Sequence, residues 1–133
     1  MARLGWPHRF VAKEWSDVRE FEASVWATES RGRYLLEIID SVMASGSVGD
    51  LAVTTSMHDL LVVGRPVPEP PMDVLIVRAP GSLHRPAEGH VLIEYLGVSG
   101  RDTRSERPSE EAVALFWRYV TEKFGVESTA TGW

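Results

Sequence analysis

The sequence predicts a single α+β domain: an antiparallel sheet of four to five strands packed with a helix in the N-terminal half and a C-terminal helix. Three observations predict it. The chain has 133 residues, 44% apolar and 25% charged, which suits one domain with one continuous core. Two segments show the 3.6-residue apolar period of a helix. Between them, short runs rich in Val, Ile and Leu follow one another without an intervening helix, which indicates an antiparallel meander.

The first helix is predicted over about residues 31–44. Its apolar side chains recur at i, i+1, i+4, i+5, i+8 and i+9, which places them on one helical face, and Gly46 closes the segment. The members of that face are Tyr34, Leu35, Ile38, Ile39, Val42 and Met43. The preceding segment, residues 15–28, fits either a helix or a strand over part of its length, so both assignments stay open.

Four strands are predicted in the middle of the chain, at Leu51–Thr55, Asp59–Gly64, Asp73–Ala79 and His90–Leu96. The second and third contain runs that are apolar at every position, so we expect both of their faces to be covered, by helices or by another subunit. Prolines crowd the connection over residues 64–71, which therefore cannot be a central strand.

The C-terminal helix is predicted over about residues 110–124, with Ser109 as its N-cap. Two acids, Glu110 and Glu111, occupy the first turn, where the helix dipole favours negative charge. Gly125 suits the left-handed residue that follows a last helical turn. The buried stripe of this helix is Val113, Phe116, Trp117, Val120 and Phe124.

Composition and charge narrow the function classes. The net charge is −5 and the sequence has no basic stripe, which argues against a nucleic-acid-binding surface. The chain has no cysteine, so disulfides and thiolate metal sites are excluded. No segment approaches the ~18 apolar residues of a membrane helix, and the N-terminus has no signal-peptide core. We therefore expect a cytoplasmic protein with neither nucleic-acid nor membrane partners.

The sequence shows no assembled motif for catalysis or metal binding. No two of the four histidines have the i, i+4 spacing of a helical zinc site, and His90 and Glu94 on one strand are ~13 Å apart. Ser56, His58 and Asp59 lie together in a short turn, whereas a catalytic triad needs groups that converge in space. We therefore expect no metal ion, no cofactor and no enzymatic activity.

Residues 100–107 are the one charge-dense segment, predicted as a loop. Arg101, Arg104 and Arg107 recur at every third residue, with Asp102 and Glu106 between them. A solvated loop of ion pairs explains such a pattern, and so does a partner-contact loop beside a rigid sheet. Both interpretations stay open.

The C-terminal region also carries a family resemblance. A strand at His90–Leu96 leads through a polar loop into residues 107–113, an amphipathic helix follows and breaks at a glycine, and a short tail meets Trp133. This order, over about residues 51–133, resembles a family of small bacterial immunity proteins from polymorphic toxin systems, often found beside deaminase-type toxins. The proline before the last tryptophan and the acid after it, usual in that family, are both absent here.

The resemblance implies an α+β protein, rich in strand, that neutralises a cognate toxin by direct binding. From their positions, we predict these partner-contact residues: Glu94, Arg101, Asp102, Arg104, Glu106 and Trp133. An alternative hypothesis is a small ligand-binding domain or enzyme with a pocket between the sheet and the first helix, lined by His90, Glu94, Arg101 and Arg104. A homodimer that hides one face of the sheet is compatible with either function.

Overall fold

The computed structural model describes residues 4–128, which form three α-helices and one five-stranded antiparallel sheet. The helices are α1 (Trp15–Trp26), α2 (Arg33–Met43) and α3 (Ala112–Phe124). The strands are β1 (Leu51–Ser56), β2 (Asp59–Gly64), β3 (Val74–Val77), β4 (His90–Leu96) and β5 (Thr103–Pro108), and their spatial order is their order along the chain. The predicted α+β class and the meander are confirmed.

Both predicted helices are present, and each begins with a tighter 3₁₀ turn. Residues Ser30–Gly32 precede α2 and residues Ser109–Glu111 precede α3. Ser109 is not the N-cap that the sequence predicts, because its hydroxyl contacts the Glu110 carboxylate and no side chain caps α3. Gly125 does end α3 in the left-handed conformation, at φ +67°.

The ambiguous segment at residues 15–28 is a helix. Trp15, Val18, Glu22 and Trp26 share its buried face, at spacings that only a helical period brings together. The indole N–H of Trp15 donates to the carbonyl of Leu51 at 3.0 Å and so fixes the start of α1 against β1.

The charge-dense segment is not the loop that the sequence predicts. Residues 103–108 form β5, which pairs antiparallel with β4 in the register Ile93↔Ser105 and Glu94↔Arg104. The backbone hydrogen bonds of a ladder do not depend on apolar side chains, and an exposed edge strand tolerates charge at most positions. Only residues 97–102 remain as the β4–β5 loop.

Both faces of the sheet are covered by the chain itself. The three helices pack on one face, called here the helical face, where β2 and β3 place residues such as Leu60 and Val77. On the opposite face, Phe10 and Met72 cover a second cluster that includes Leu61 and Ile76. The doubly apolar strands therefore do not require a second subunit to bury them.

Most of the described tryptophans belong to the core. Trp15, Trp26 and Trp117 are at most 5% exposed, so they stabilise the fold and offer no surface to a partner. The indole N–H of Trp117 donates to the Ser41 hydroxyl at 2.9 Å and ties α3 to α2. None of the helices in residues 4–128 has both the length and the apolar character needed to cross a membrane.

Candidate functional site

Most of the predicted contact residues lie along the free edge of the sheet. We use the term β5 edge for strand β5 together with the β4–β5 loop, residues 97–102. Each residue of β5 is exposed or partly exposed, whereas every residue of β3 is buried. Within residues 4–128, β5 pairs with β4 on one side and with nothing on the other.

Glu94 is held by an internal salt-bridge network. Arg78 donates from Nη2 to Glu94 Oε2 at 2.8 Å and from Nη1 to Asp59 Oδ2 at 3.0 Å. The exposed fraction of the side chain is only 14% for Glu94, 16% for Arg78 and 9% for Asp59. Asp59 also accepts the backbone N–H of Ala79 at 2.7 Å. The Glu94 carboxylate therefore has little surface left for a partner.

The β4–β5 loop is fixed by its own polar groups. Asp102 Oδ1 accepts the backbone N–H of Gly97 at 2.9 Å, and the Gly100 N–H donates to the Gly97 carbonyl at the same distance. Gly100 has φ +82°, a conformation that favours glycine. The loop is therefore a shaped turn that presents Arg101 outward, where its side chain is exposed.

A small apolar spot adjoins this loop. Leu4 is 50% exposed and Val98 is 43% exposed. A β-carbon built on Gly100 would lie 3.6 Å from Leu4 Cδ1, so the two apolar side chains flank the charged turn. Exposed apolar side chains ringed by charges are typical of contact surfaces.

Two hydrogen-bond donors, one from β4 and one from the segment before it, hold the Glu106 carboxylate. Its Oε2 lies 2.9 Å from His90 Nδ1 and 3.0 Å from the Ala87 backbone nitrogen. The hydrogen bond from His90 and then that from the Ala87 N–H lower the pKa of Glu106 below its usual value. The carboxylate therefore stays ionised on the exposed face of the strand.

Arg101 and Arg104 are the least committed charges of the β5 edge. Both side chains are exposed, and neither has a hydrogen bond or salt bridge to another residue in the part of the chain that the structure describes. A guanidinium group presents five N–H donors in a planar fork, which suits carboxylate or carbonyl recognition. These two side chains are thus free to bind an incoming partner.

A groove runs between β5 and α3. It has a volume of about 360 Å³ and is open to solvent. Its lining residues are Thr103, Arg104, Ser105, Arg118, Tyr119, Glu122 and Lys123. The Ser105 and Tyr119 hydroxyls lie 2.9 Å apart across its floor, so the strand and the helix are joined beneath the groove.

Trp133, the remaining predicted contact, lies outside the described residues. The predicted set therefore divides into three parts. Four residues (Arg101, Asp102, Arg104 and Glu106) are brought together on the β5 edge, and Glu94 is drawn inward.

The alternative pocket is not formed by the four residues that the sequence suggested. Val91 and Ile93 pack under the helices, so the alternating residues of β4, among them His90 and Glu94, lie on the opposite face of the sheet. His90 instead lines a concavity of about 270 Å³ with Arg31, Pro80 and residues 85–89. Glu94, Arg101 and Arg104 do not contribute to that concavity.

A second polar site, which the sequence did not reveal, joins α1 to the β1–β2 hairpin. Glu22 is fully buried, and its Oε1 lies 2.8 Å from His58 Nδ1 and 3.3 Å from the Trp26 indole nitrogen. Its other oxygen, Oε2, is buried without a hydrogen-bond partner among residues 4–128. The His58 ring stacks on Phe21 at a centroid distance of 4.6 Å.

Burial governs the protonation of this site. It raises the pKa of Glu22 to about 7, and the hydrogen bond with His58 opposes that rise. A carboxyl group with such a pKa exchanges its proton near neutral pH. The buried position of Glu22 could not be predicted because residues 20–28 fit both the helical and the strand period. Only the helical period turns this side chain inward.

Ser56, His58 and Asp59 do not converge as a catalytic triad would: Ser56 ends β1, Asp59 begins β2, and Met57 and His58 form the turn between them. His58 is bonded to Glu22, whereas Asp59 is bonded to Arg78, so the two adjacent residues serve different partners. Ser56 is exposed and ends β1. Four surface concavities lined by the described residues lie elsewhere. Residues 4–128 contain no group of three or more side chains placed to hold a metal ion.

The chain matches no family model, no curated protein and no solved structure.

Proposed function

We propose that this protein is a bacterial immunity protein that neutralises a cognate toxin by direct binding through the β5 edge. The proposal rests on three features of the β5 edge and of the sheet that carries it. Its backbone edge is open, Arg101 and Arg104 make no side-chain hydrogen bond or salt bridge within the described residues, and the central strands β2 and β3 of the same sheet are buried on both faces.

The chemistry of the edge suits protein recognition. Arg101 and Arg104 offer guanidinium donors, while Asp102 Oδ2 and Glu106 Oε1 have no hydrogen bond to another described residue. A partner therefore meets both signs of charge within a few residues, which selects one docking register and rejects others. The apolar spot at Leu4 and Val98 supplies area that excludes water beside these charges.

The rigidity of the scaffold supports the same proposal. Stoichiometric inhibition needs a surface that is already in its binding conformation, because ordering a flexible surface costs binding free energy. The Asp102 and Gly100 hydrogen bonds shape the loop, and the Ser105–Tyr119 contact anchors β5 to α3. The protein acts in the cytoplasm without a cofactor, and it covers the active site or substrate groove of the toxin. The order of elements in its C-terminal half resembles that of the immunity family.

The test uses the product of the neighbouring gene. The tagged protein is expressed in its native genomic background, with and without the adjacent open reading frame, and the bound material is identified after affinity capture. We expect a stoichiometric complex with a toxin domain encoded next to this gene, and loss of that domain's toxicity when the two are expressed together. Failure to bind or neutralise any neighbouring product would remove the proposal.

A further inference from the structure

The outer side of β5 presents a defined set of backbone groups. The N–H of Ser109 donates to the carbonyl of Gly89 at 2.9 Å, in line with the β4–β5 register that pairs Val91 with Arg107. Hydrogen-bonded and non-bonded pairs alternate along an antiparallel ladder, so Ser105 also bonds toward β4. Arg104 and Glu106 therefore direct their backbone N–H and C=O groups outward.

The proline that ends β5 agrees with this assignment. Pro108 has no N–H and pairs with His90, at an even-numbered position like Arg104 and Glu106. Proline is tolerated in a sheet where the missing N–H would face away from the neighbouring strand. The free backbone donors of the edge are thus those of Arg104 and Glu106, flanking Ser105.

The side chains of these two residues are self-complementary. We propose that two copies of this chain associate through their β5 strands, which pair antiparallel about a two-fold axis at Ser105 and join the two sheets into one. In that register, Arg104 of each copy lies opposite Glu106 of the other. Their outward N–H and C=O groups meet as two hydrogen-bonded pairs, and two opposite-charge side-chain pairs form on the same face.

Neighbouring registers are disfavoured by the same charges. A shift by two residues places Arg104 opposite its own copy, or Glu106 opposite its own copy, and like charges directly opposite are destabilising. Charged residues on edge strands commonly block pairing with arbitrary strands. Here their order blocks all registers near the centre except the self-complementary one. The small Ser105 side chain at the axis leaves room for the second copy.

This association does not depend on the proposed function, since it concerns the isolated chain. It uses the same edge, however, so a bound toxin and a second copy exclude one another. The free protein then exchanges its self-contact for the toxin contact.

Sedimentation analysis of the purified full chain over a wide concentration range tests the proposal. Three charge variants are compared with wild type: R104E, E106R and the double variant R104E/E106R. We expect a concentration-dependent dimer for wild type and for the double variant. Each single variant places like charges opposite one another in its own dimer, so we expect its association constant to fall at least about tenfold.

Mixing the two single variants gives the most specific result. R104E carries two acids on this face of β5 and E106R carries two bases, so they should dimerise with each other more tightly than either does alone. Misfolding of a variant cannot produce that rescue. R33E, at an exposed arginine of α2 outside the β5 edge, is the matched control and should dimerise like wild type. A wild-type chain that stays monomeric to about millimolar concentration overturns the proposal, as does a mixture that does not associate.

Discussion

Two regions of this molecule contain the same charged residue types, which are largely buried in one region and exposed in the other. At the hairpin end of the sheet, Glu22, His58, Asp59, Arg78 and Glu94 form what we call the hairpin cluster, in which four of the five side chains are at most 16% exposed. Glu22 is bonded to His58, and Arg78 is bonded to both Asp59 and Glu94. On the β5 edge, the arginines and acids are exposed, and Arg101 and Arg104 make no side-chain hydrogen bond or salt bridge within the described residues.

Burial decides whether a charged side chain stabilises the fold or stays available to another molecule. A buried arginine between two carboxylates holds elements together, because removal of one member leaves the others unpaired in a medium of low polarity. An exposed arginine contributes little to folding and keeps its donors for another molecule. The hairpin cluster should therefore control stability, and the β5 edge should control association.

The largest effect is expected at the centre of the hairpin cluster. Replacing Arg78 with Met leaves the Asp59 and Glu94 carboxylates buried without their shared cation, so we expect the free energy of unfolding to fall by about 3–5 kcal/mol. Denaturant titration measures it. The matched control is R104M on the β5 edge, which should change stability by under about 0.5 kcal/mol. Equal losses for the two variants would erase the contrast between the regions.

Glu22 should make the free energy of unfolding depend on pH. Its pKa is about 7 in the folded protein and near 4.5 in the unfolded chain, so the folded state binds more protons between these values. Stability contributed by the protonated group is complete below about pH 4.5 and is lost as the pH rises through 7. Hydrogen bonds with His58 and Trp26 lower the pKa of Glu22, whereas the charge of Asp59 raises it.

Glu22→Gln keeps the shape of the protonated side chain and should remove this dependence. We expect the variant and wild type to differ little near pH 4.5 and the variant to gain up to about 3 kcal/mol relative to wild type by pH 8. Unfolding measured at several pH values, with the exposed E37Q as control, provides the comparison. Parallel pH curves for E22Q and wild type would show that Glu22 does not titrate in this window.

A smaller effect is expected where the β5 edge meets the core. Ser105→Ala removes the hydroxyl contact with Tyr119 and should lower the free energy of unfolding by about 1 kcal/mol. Thr103, on the same face of β5 and exposed, provides the control: T103A should have an effect within about 0.5 kcal/mol. If both variants behave alike, the hydroxyl contact between Ser105 and Tyr119 does not anchor the strand.

The sequence predicted the fold class and four strands because these depend on local apolar period and turn residues. The covering of β2 and β3 by the chain's own N-terminal segment could not be derived, since Phe10 and Met72 are far apart in sequence and carry no pattern. Strand β5 was missed for a related reason. Its residues are polar at nearly every position, and only the register with β4 makes them a strand.

Local charge density predicted part of the candidate site, and contacts distant in sequence could not be predicted. Charge density located the segment that holds Arg101, Asp102, Arg104 and Glu106. It could not show that Glu94 turns toward Arg78, because the two residues are 16 positions apart and meet only through the pairing of β3 with β4. Glu22 was missed because residues 20–28 satisfy two periods and because its partner His58 is 36 positions away in sequence.

The most direct test of the account compares binding of the neighbour-encoded toxin domain by three purified proteins: wild type, R101E and the control R33E. Calorimetric titration should give one toxin domain per chain for wild type and for R33E. For R101E, we expect an affinity at least about tenfold weaker with an unchanged free energy of unfolding. Equal affinity for R101E and wild type, or no binding by wild type, would contradict the claim that the β5 edge is the surface through which this protein acts.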